Sequence, residues 1–172
     1  MPLTETALER SRLLAGDDPL ANPLAGYLAD HIEEELRHDE TLLEDIEALG
    51  VERSSVLERL PSPKVAALVG SQYYWIQHFH PVSFLGYVAV MEGYPPTSEL
   101  IETLVARTGF PRNAFRAYLE HAELDPGHRD HLDRTLDALP LEQRHEKALG
   151  VSAIATATMA ARSLEKIVDQ GR

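Results

Sequence analysis

The sequence predicts an all-α protein, a bundle of about six or seven helices, on three observations. Apolar residues recur at helical spacing in most segments of the chain. No long segment alternates apolar and polar residues in the manner of a half-buried strand. Turns that contain proline or glycine separate the helical segments. Together these observations predict helices that pack around one hydrophobic core.

The predicted helices follow one another with short connections. They cover approximately residues 4–14, 24–49, 62–78, 82–92, 98–107, 111–139 and 141–168. The second of them is long and ends at Gly50, a residue type common after helix C-termini. Leucine and isoleucine supply its apolar face, with Leu36 among them, while acidic residues such as Asp45 are predicted to form its polar surface.

Two later helices have features that bear on function. The helix at 82–92 is apolar nearly all round and is therefore predicted to be buried. Pro126 and Gly127 are expected to interrupt the helix at 111–139, because proline lacks the N–H that a helix interior uses. The last helix carries the small-residue run VSAIATATMAA, which suits close packing against another helix.

Length and charge bound the size, the partners and the location of the protein. At 172 residues the chain is predicted to form a single domain, 1–172, in which residues 1–22 are a short helix and a loop. The 28 carboxylates against 16 Lys and Arg give a net charge of -12, which argues against nucleic-acid and anionic-membrane partners. The chain has no apolar run of the roughly 18 residues that a membrane span needs. Its first residues also lack the apolar core of a signal peptide, so a cytoplasmic location is expected.

The absence of cysteine limits the chemistry that the chain can perform. Thiolate ligands, disulfides and cysteine nucleophiles are excluded, so any metal must be bound by His, Asp and Glu. No serine lies in a nucleophile-elbow context, so acyl transfer has no support. Of the eight histidines, His131 and His145 are predicted to lie at the surface, and His80 is predicted to end a helix.

The first candidate motif is Glu35-x-x-His38 on the predicted helix at 24–49. Residues three apart on a helix share a face, so the two side chains could reach one ion. His31 is seven residues before His38 and shares that face, and Glu34 is an alternative carboxylate. The other interpretation is a solvated acidic face.

The second candidate motif is His121-x-x-x-Asp125-x-x-His128. These residues fall at i, i+4 and i+7, which places three potential ligands in one stripe along a helix. The alternative is an exposed polar stripe, since the neighbouring residues are also polar.

A third candidate is the isolated Glu92, at the end of the apolar helix. Burial of a lone carboxylate is costly unless a cation or hydrogen bonds compensate it. The alternative is that Glu92 is partly solvated at the helix end or paired with an arginine.

These six positions together supply three carboxylates and three imidazoles. Such a mixed set of nitrogen and oxygen donors suits Fe(II) or Mn(II) better than Ca(II) or Mg(II). Six ligands also suffice for two ions with bridging carboxylates, and open coordination positions would serve O2 and a small substrate. Zinc-dependent hydrolysis is chemically compatible with the same residue types.

Three segments resemble one known family, the haem-oxygenase-like diiron oxidases, and within it the iron-containing redox enzymes. They are HIEEELRHDETLLEDIEALG (31–50), QYYWIQHFHPVSFLGYVAVMEGYPP (72–96) and HAELDPGHRDHLD (121–133). The motifs occur in the family's order, and the similarity covers roughly residues 22–168.

The resemblance implies a haem-oxygenase-like helical fold, non-haem iron with two Fe(II) per chain, and O2 as co-substrate. The substrate would be a small organic molecule such as an amine, an amino acid or a fatty acid. The implied iron ligands are Glu35, His38, Glu92, His121, Asp125 and His128. Some relatives place the first carboxylate two turns before its histidine, where this chain has His31. The N-terminal region is short for the family, which leaves open a bundle that lacks a helix or one that is completed by a partner, such as a second copy in a homodimer.

Two other functions stay open at this point. One is a non-catalytic member of the fold that binds a ligand, a metal or a partner, and the other is a haem-binding relative with His38 or another histidine as axial ligand. Thiaminase-like activity is disfavoured because the chain has no cysteine nucleophile. Pro126 further suggests that the segment 121–131 is loose until iron orders it.

Overall fold

The protein is a bundle of helices around a core to which both halves of the chain contribute. The computed structural model describes residues 1–170, with side chains through Leu164. This part of the chain contains helices α1 Pro2–Leu14, α2 Ala21–Glu34, α3 His38–Ala48, α4 Arg53–Leu57, α5 Pro63–His78, α6 Phe84–Met91, α7 Ser98–Thr108, α8 Arg116–Ala138 and α9 Gln143–Gln170. Short 3-10 turns at Pro81–Ser83 and Arg112–Phe115 precede α6 and α8. Since no strand occurs within residues 1–170, the predicted all-α class is confirmed.

The core fixes the relative positions of the helices that carry the candidate ligands. α1 packs along α2, and α9 packs along both α5 and α6. Leu24 and Leu28 of α2, Leu85 and Val88 of α6 and Leu132 of α8 belong to one buried cluster. Burial of the apolar helix was therefore predicted correctly. Nowhere in the described residues is a helix both long and apolar enough to cross a bilayer.

The prediction of one continuous helix over residues 24–49 is wrong. α2 ends at Glu34 and α3 begins at His38, and Arg37 between them adopts the left-handed backbone conformation with φ 74°. This conformation costs roughly 1–2 kcal/mol for a residue with a Cβ atom. The break contains neither glycine nor proline, so the apolar periodicity alone suggested continuity, yet Leu36 is exposed. The break separates Glu35 from His38.

Asp45 is also not the surface residue that the sequence suggested, since only 2% of it is exposed. Its Oδ2 accepts a hydrogen bond from the backbone N–H of Ala117 at 2.8 Å, and its Oδ1 accepts one from Nε of Arg116 at 3.0 Å. Ala117 lies in the first turn of α8, where backbone N–H groups have no partner within the helix. Asp45 therefore joins α3 to the start of α8.

The expected interruption at Pro126 does not occur. α8 is a continuous helix over Arg116–Ala138 with Pro126 in its interior. Proline removes one backbone hydrogen bond, but its fixed φ is close to that of a helix, so the flanking turns can hold the geometry. The ordering of residues 121–131 by iron stays a prediction.

Two histidines form a polar cluster next to the core, away from the motifs. His145 is buried, contrary to the prediction, and its Nδ1 accepts a hydrogen bond from the backbone N–H of Glu142. His80 lies between the end of α5 and the turn at Pro81–Ser83. Its Nδ1 accepts a hydrogen bond from the backbone N–H of Val82 at 3.0 Å. Nε2 of His80 therefore carries the proton and donates to Oδ2 of Asp18 at 2.9 Å.

We expect the His80–Asp18 pair to make the metal-free protein less stable in acid. Burial lowers the pKa of His80, and the hydrogen bond and charge of Asp18 oppose this only in part. Burial raises the pKa of Asp18, but hydrogen bonds from Leu20 and His80 outweigh it and leave that pKa lowered. Both groups therefore take up a proton more readily in the unfolded chain. Stability falls as the pH drops below about 6.5 for His80 and below about 3.8 for Asp18.

Urea unfolding of the metal-free protein at pH 7 and pH 5 tests this expectation. His80→Asn, which keeps an acceptor for the Val82 N–H, should lose less stability between the two pH values than the wild type. The exposed His78→Asn should behave as the wild type does. An equal loss in all three proteins would contradict the assignment to His80.

Candidate metal centre

Four helices bring the six predicted ligands to one place. Glu35 directly follows α2, His38 is the first residue of α3, and Glu92 directly follows α6. The other three residues lie along α8. The cluster therefore occupies the space between the ends of α2 and α6, the start of α3 and the middle of α8.

The three residues of α8 share one face, as their spacing predicts. Nδ1 of His121 lies 2.8 Å from Oδ1 of Asp125. The same Oδ1 lies 3.6 Å from Nδ1 of His128. Asp125 and His128 are buried and His121 is partly exposed, so the interpretation as a solvated stripe does not describe this face.

Glu35 occupies the centre of the cluster. Its Oε2 lies 2.8 Å from Nδ1 of His38, and its Oε1 lies 3.5 Å from Nδ1 of His128. Two groups of three residues have potential ligand atoms within 4.8 Å of one another, and Glu35 belongs to both. They are Glu35 with His38 and His121, and Glu35 with His31 and Glu92. This arrangement fits two neighbouring metal positions that share a carboxylate.

Glu92 is directed into the cluster rather than toward solvent. Its Oε1 lies 3.3 Å from Nε2 of His31, and its Oε2 lies 3.9 Å from Nδ1 of His128. The side chain is 16% exposed. No Lys or Arg side chain through residue 164 pairs with it, so the alternative of an arginine partner does not apply.

The unpartnered polar atoms provide a test of whether these residues fit a metal. In the part of the chain with described side chains, four buried side-chain nitrogen or oxygen atoms lack a hydrogen bond: His31 Nδ1, Glu35 Oε1, Glu92 Oε2 and His128 Nδ1. All four belong to this cluster. Buried polar groups are otherwise nearly always paired, so a bound cation would explain the unpartnered carboxylate oxygens. Four imidazoles and three carboxylates are donors that suit Fe(II) or Mn(II).

The cluster carries excess negative charge from its carboxylates, and this charge affects the pKa values of neighbouring groups. Burial lowers the pKa of His31, but the hydrogen bond and charge of Glu92 and the charges of Glu35 and Glu34 outweigh it and raise that pKa. Burial, followed by the charge of Glu92, also raises the pKa of Tyr27 and of Tyr87. Both phenols therefore stay protonated. A divalent cation would neutralise the carboxylate charge that contributes to these shifts.

Glu34, which the sequence left as an alternative ligand, lies at the edge of the cluster, next to His128 and His131. Its Oε2 is 4.0 Å from Nε2 of His128, and its Oε1 is 3.6 Å from Nδ1 of His131. His131 is partly exposed, as predicted, and its ring meets that of Tyr27 edge-on at 5.0 Å. Tyr27 also stacks on His31 at 5.7 Å. The sequence analysis missed Tyr27, although its position four residues before His31 on one helix face was a usable signal.

A cavity of about 370 Å³ adjoins the cluster. Its walls include His31, Glu35, His38, Glu92, His121 and Asp125, together with Phe84, Tyr87, Val88, Met91, Pro96 and Tyr118. A second cavity of about 380 Å³ shares His38, Met91, Tyr118 and His121 with the first. A space of this size with apolar walls and polar groups at one end fits a small organic molecule.

Comparison with known proteins agrees with an iron centre. The sequence profile of a family described as iron-containing redox enzyme matches residues 10–163. The chain belongs to this family. A general role in iron redox chemistry follows from this membership, and iron is the metal that the family implies for the cluster.

A solved structure has the same fold as this chain. It is a domain of unknown function with a heme oxygenase-like fold from Shewanella denitrificans OS217. It superposes with a TM-score of 0.82 at 19% identity and covers 97% of this chain and 71% of that chain. The predicted haem-oxygenase-like fold is thereby confirmed. Comparison with curated proteins gives no match.

Proposed function

We propose that the protein is a non-haem diiron oxidase or oxygenase that uses O2 to oxidise a small organic molecule. The observation that carries this proposal is the position of Glu35, whose Oε2 lies 2.8 Å from Nδ1 of His38 and whose Oε1 lies 3.5 Å from Nδ1 of His128. A carboxylate with histidines on both of its oxygens suits a centre of two iron ions, whereas a single ion would need histidines on only one side of it.

The residues divide between two metal positions. Glu35, His38 and His121 would hold one ion, and Glu92 and His128 would hold the other together with the shared Glu35. Asp125 lies between His121 and His128, within reach of either position. Mn(II) would use the same donors. Bound Fe(II) supplies the electrons and the open coordination positions for the reduction of O2.

The protein's own contribution is binding and orientation. Residues of α2, α6 and α8 belong to one buried core, which fixes the positions of the helices from which Glu35, Glu92 and Asp125 extend. The apolar side chains in the walls of the adjoining cavity would contact an organic substrate beside the centre. An amine, an amino acid or a fatty acid are the substrate classes we propose.

Anaerobic loading with Fe(II), followed by exposure to O2, tests the proposal. We expect two irons per chain by elemental analysis and consumption of O2 on mixing, because both ligand groups are complete within one chain. The double variant His121→Ala/Glu92→Ala should bind no iron while its circular dichroism stays helical. Glu33→Ala/His131→Ala, with both changes outside the ligand groups, should load as the wild type does.

The outcomes separate the competing functions. An absence of bound iron would overturn the proposal, and one iron per chain would indicate a mononuclear oxygenase. Two irons without any reaction with O2 would favour a non-catalytic, metal-binding member of the fold. Retention of stoichiometric iron by the His121→Ala/Glu92→Ala variant would show that the ligands are assigned wrongly.

A further inference from the structure

The cluster contains a fourth imidazole, that of His31, in addition to the six residues assigned above. His31 is 4% exposed and lies in α2, one turn before Glu35. A ring nitrogen of His31 forms one of the two candidate ligand groups with Glu35 and Glu92. The resemblance of the sequence to its family implies six ligands, and His31 is outside that set.

The spacing of His31 and Glu92 resembles that of neighbouring ligands on one ion. Metal–ligand bonds of about 2.1 Å place adjacent donor atoms about 3.0–3.4 Å apart. Nε2 of His31 lies 3.3 Å from Oε1 of Glu92.

The two metal positions have equal numbers of imidazole donors only if His31 is counted. The first position has two imidazoles, His38 and His121, next to the shared Glu35. Without His31 the second position has the single imidazole of His128, although Glu92 adds a further carboxylate there. With His31, each position has two imidazoles.

We propose that His31 is a seventh protein ligand and binds the second metal ion together with Glu92. This inference rests on the proposed two-metal centre. The break at Arg37 makes it geometrically consistent, because His31 on α2 contacts Glu92 while His38 on α3 contacts Glu35 and meets the ring of His121 at 4.8 Å. The competing role is a purely structural ion pair between His31 and Glu92.

Metal binding by His31 variants separates these two roles. We expect the wild type to bind two Fe(II) anaerobically, whereas His31→Ala and His31→Gln keep one and bind the second at least about 100-fold more weakly. Gln preserves most of the side-chain volume, so a shared loss in both variants does not come from a packing defect. His131→Ala is the matched control, since His131 is a nearby histidine outside both ligand groups, and it should bind two ions.

A second readout reports on His31 directly. With Zn(II) as a diamagnetic probe, the imidazole ¹⁵N resonances of His31 should shift on addition of the second equivalent. Wild-type affinity for two Fe(II) in both His31 variants, together with unshifted His31 resonances, would overturn the inference and leave the proposed function intact. A wild-type protein that binds no metal would overturn both, so the two failures are distinguishable.

Discussion

Glu35→Ala is expected to remove both metal ions from the protein, the largest effect of any single substitution in the cluster. Glu35 is the residue shared by the two ligand groups, and its two oxygens face different histidines, His38 and His128. Loss of the side chain therefore takes one donor from each position. Since removal of even an indirect partner of a ligand weakens metal binding by about 10–100-fold, we expect a loss greater than 100-fold at both positions.

The same substitution should not destabilise the metal-free protein. Glu35, Glu92 and Asp125 are three largely buried carboxylates with no Lys or Arg partner among the described side chains. Removal of one of them relieves repulsion between like charges. We therefore expect the midpoint of urea unfolding in the presence of a chelator to stay unchanged or to rise.

Anaerobic Fe(II) titration of Glu35→Ala and of Glu33→Ala measures the effect. Glu33 is exposed on the same turn of helix and belongs to neither ligand group, so its variant controls for loss of negative charge nearby. Two tightly bound irons in Glu35→Ala would contradict the shared role, and loss of only one would assign Glu35 to a single position. A fall in metal-free stability would show that the hydrogen bond between Glu35 and His38 outweighs the relief of charge repulsion.

The parts of this centre that could be predicted from the sequence are those that depend on one helix alone. His121, Asp125 and His128 share a face because of helical geometry, whatever the rest of the chain does. Glu92 could be predicted because a carboxylate at the end of an apolar helix needs a partner. These residues are where the sequence suggested and contact one another across the cluster.

The relation between Glu35 and His38 could not be predicted in the same way. Their spacing of three residues suggested neighbours on one helix, yet the chain turns between them at Arg37. Residues 35–37 include no glycine or proline that would predict the helix break, so we attribute the break to tertiary packing. Asp45 anchors α3 to the first turn of α8, and this contact between residues distant in sequence favours a separate α3 over a continuous helix.

The burial of certain polar residues also could not be predicted from the sequence. Asp45 and His145 belong to residue types that are usually exposed, and both are buried here because each accepts a hydrogen bond from a backbone N–H at a helix start. Such bonds depend on which helix end lies nearby, and periodicity within a segment does not contain that information.

Gly86→Ala is expected to cause the largest loss of stability outside the metal centre. Gly86 lies in α6, against α9, where small residues allow close approach of the two helices. A Cβ atom at this position would collide with the backbone oxygen of Leu149 and lie 3.0 Å from the backbone nitrogen of Ala153. Backbone atoms cannot rotate away as a side chain can, so the helices must separate. Overpacking of this kind costs about 1–3 kcal/mol, and we expect about 2–3 kcal/mol here.

Gly70→Ala provides the matched control for helix propensity. Gly70 lies inside α5, and a Cβ atom there meets nothing within 4 Å. Its replacement should stabilise the protein by about 0.5–1 kcal/mol, because alanine loses less backbone entropy on folding. Urea unfolding measures the stability of both variants, one with an added methyl group that clashes with α9 and one with a methyl group in open space. Equal stability of the two variants would contradict close α6–α9 packing.

The position of Gly86 also links this packing to the metal centre. Glu92 directly follows α6, so a shift of α6 away from α9 moves the carboxylate relative to His31 and His128. We therefore expect Gly86→Ala to weaken the second iron position more than the first, whose ligands lie on α3 and α8 and at the end of α2. Fe(II) titration of the folded variant measures this difference, and equal weakening at both positions would show that the displacement of α6 spreads through the whole bundle.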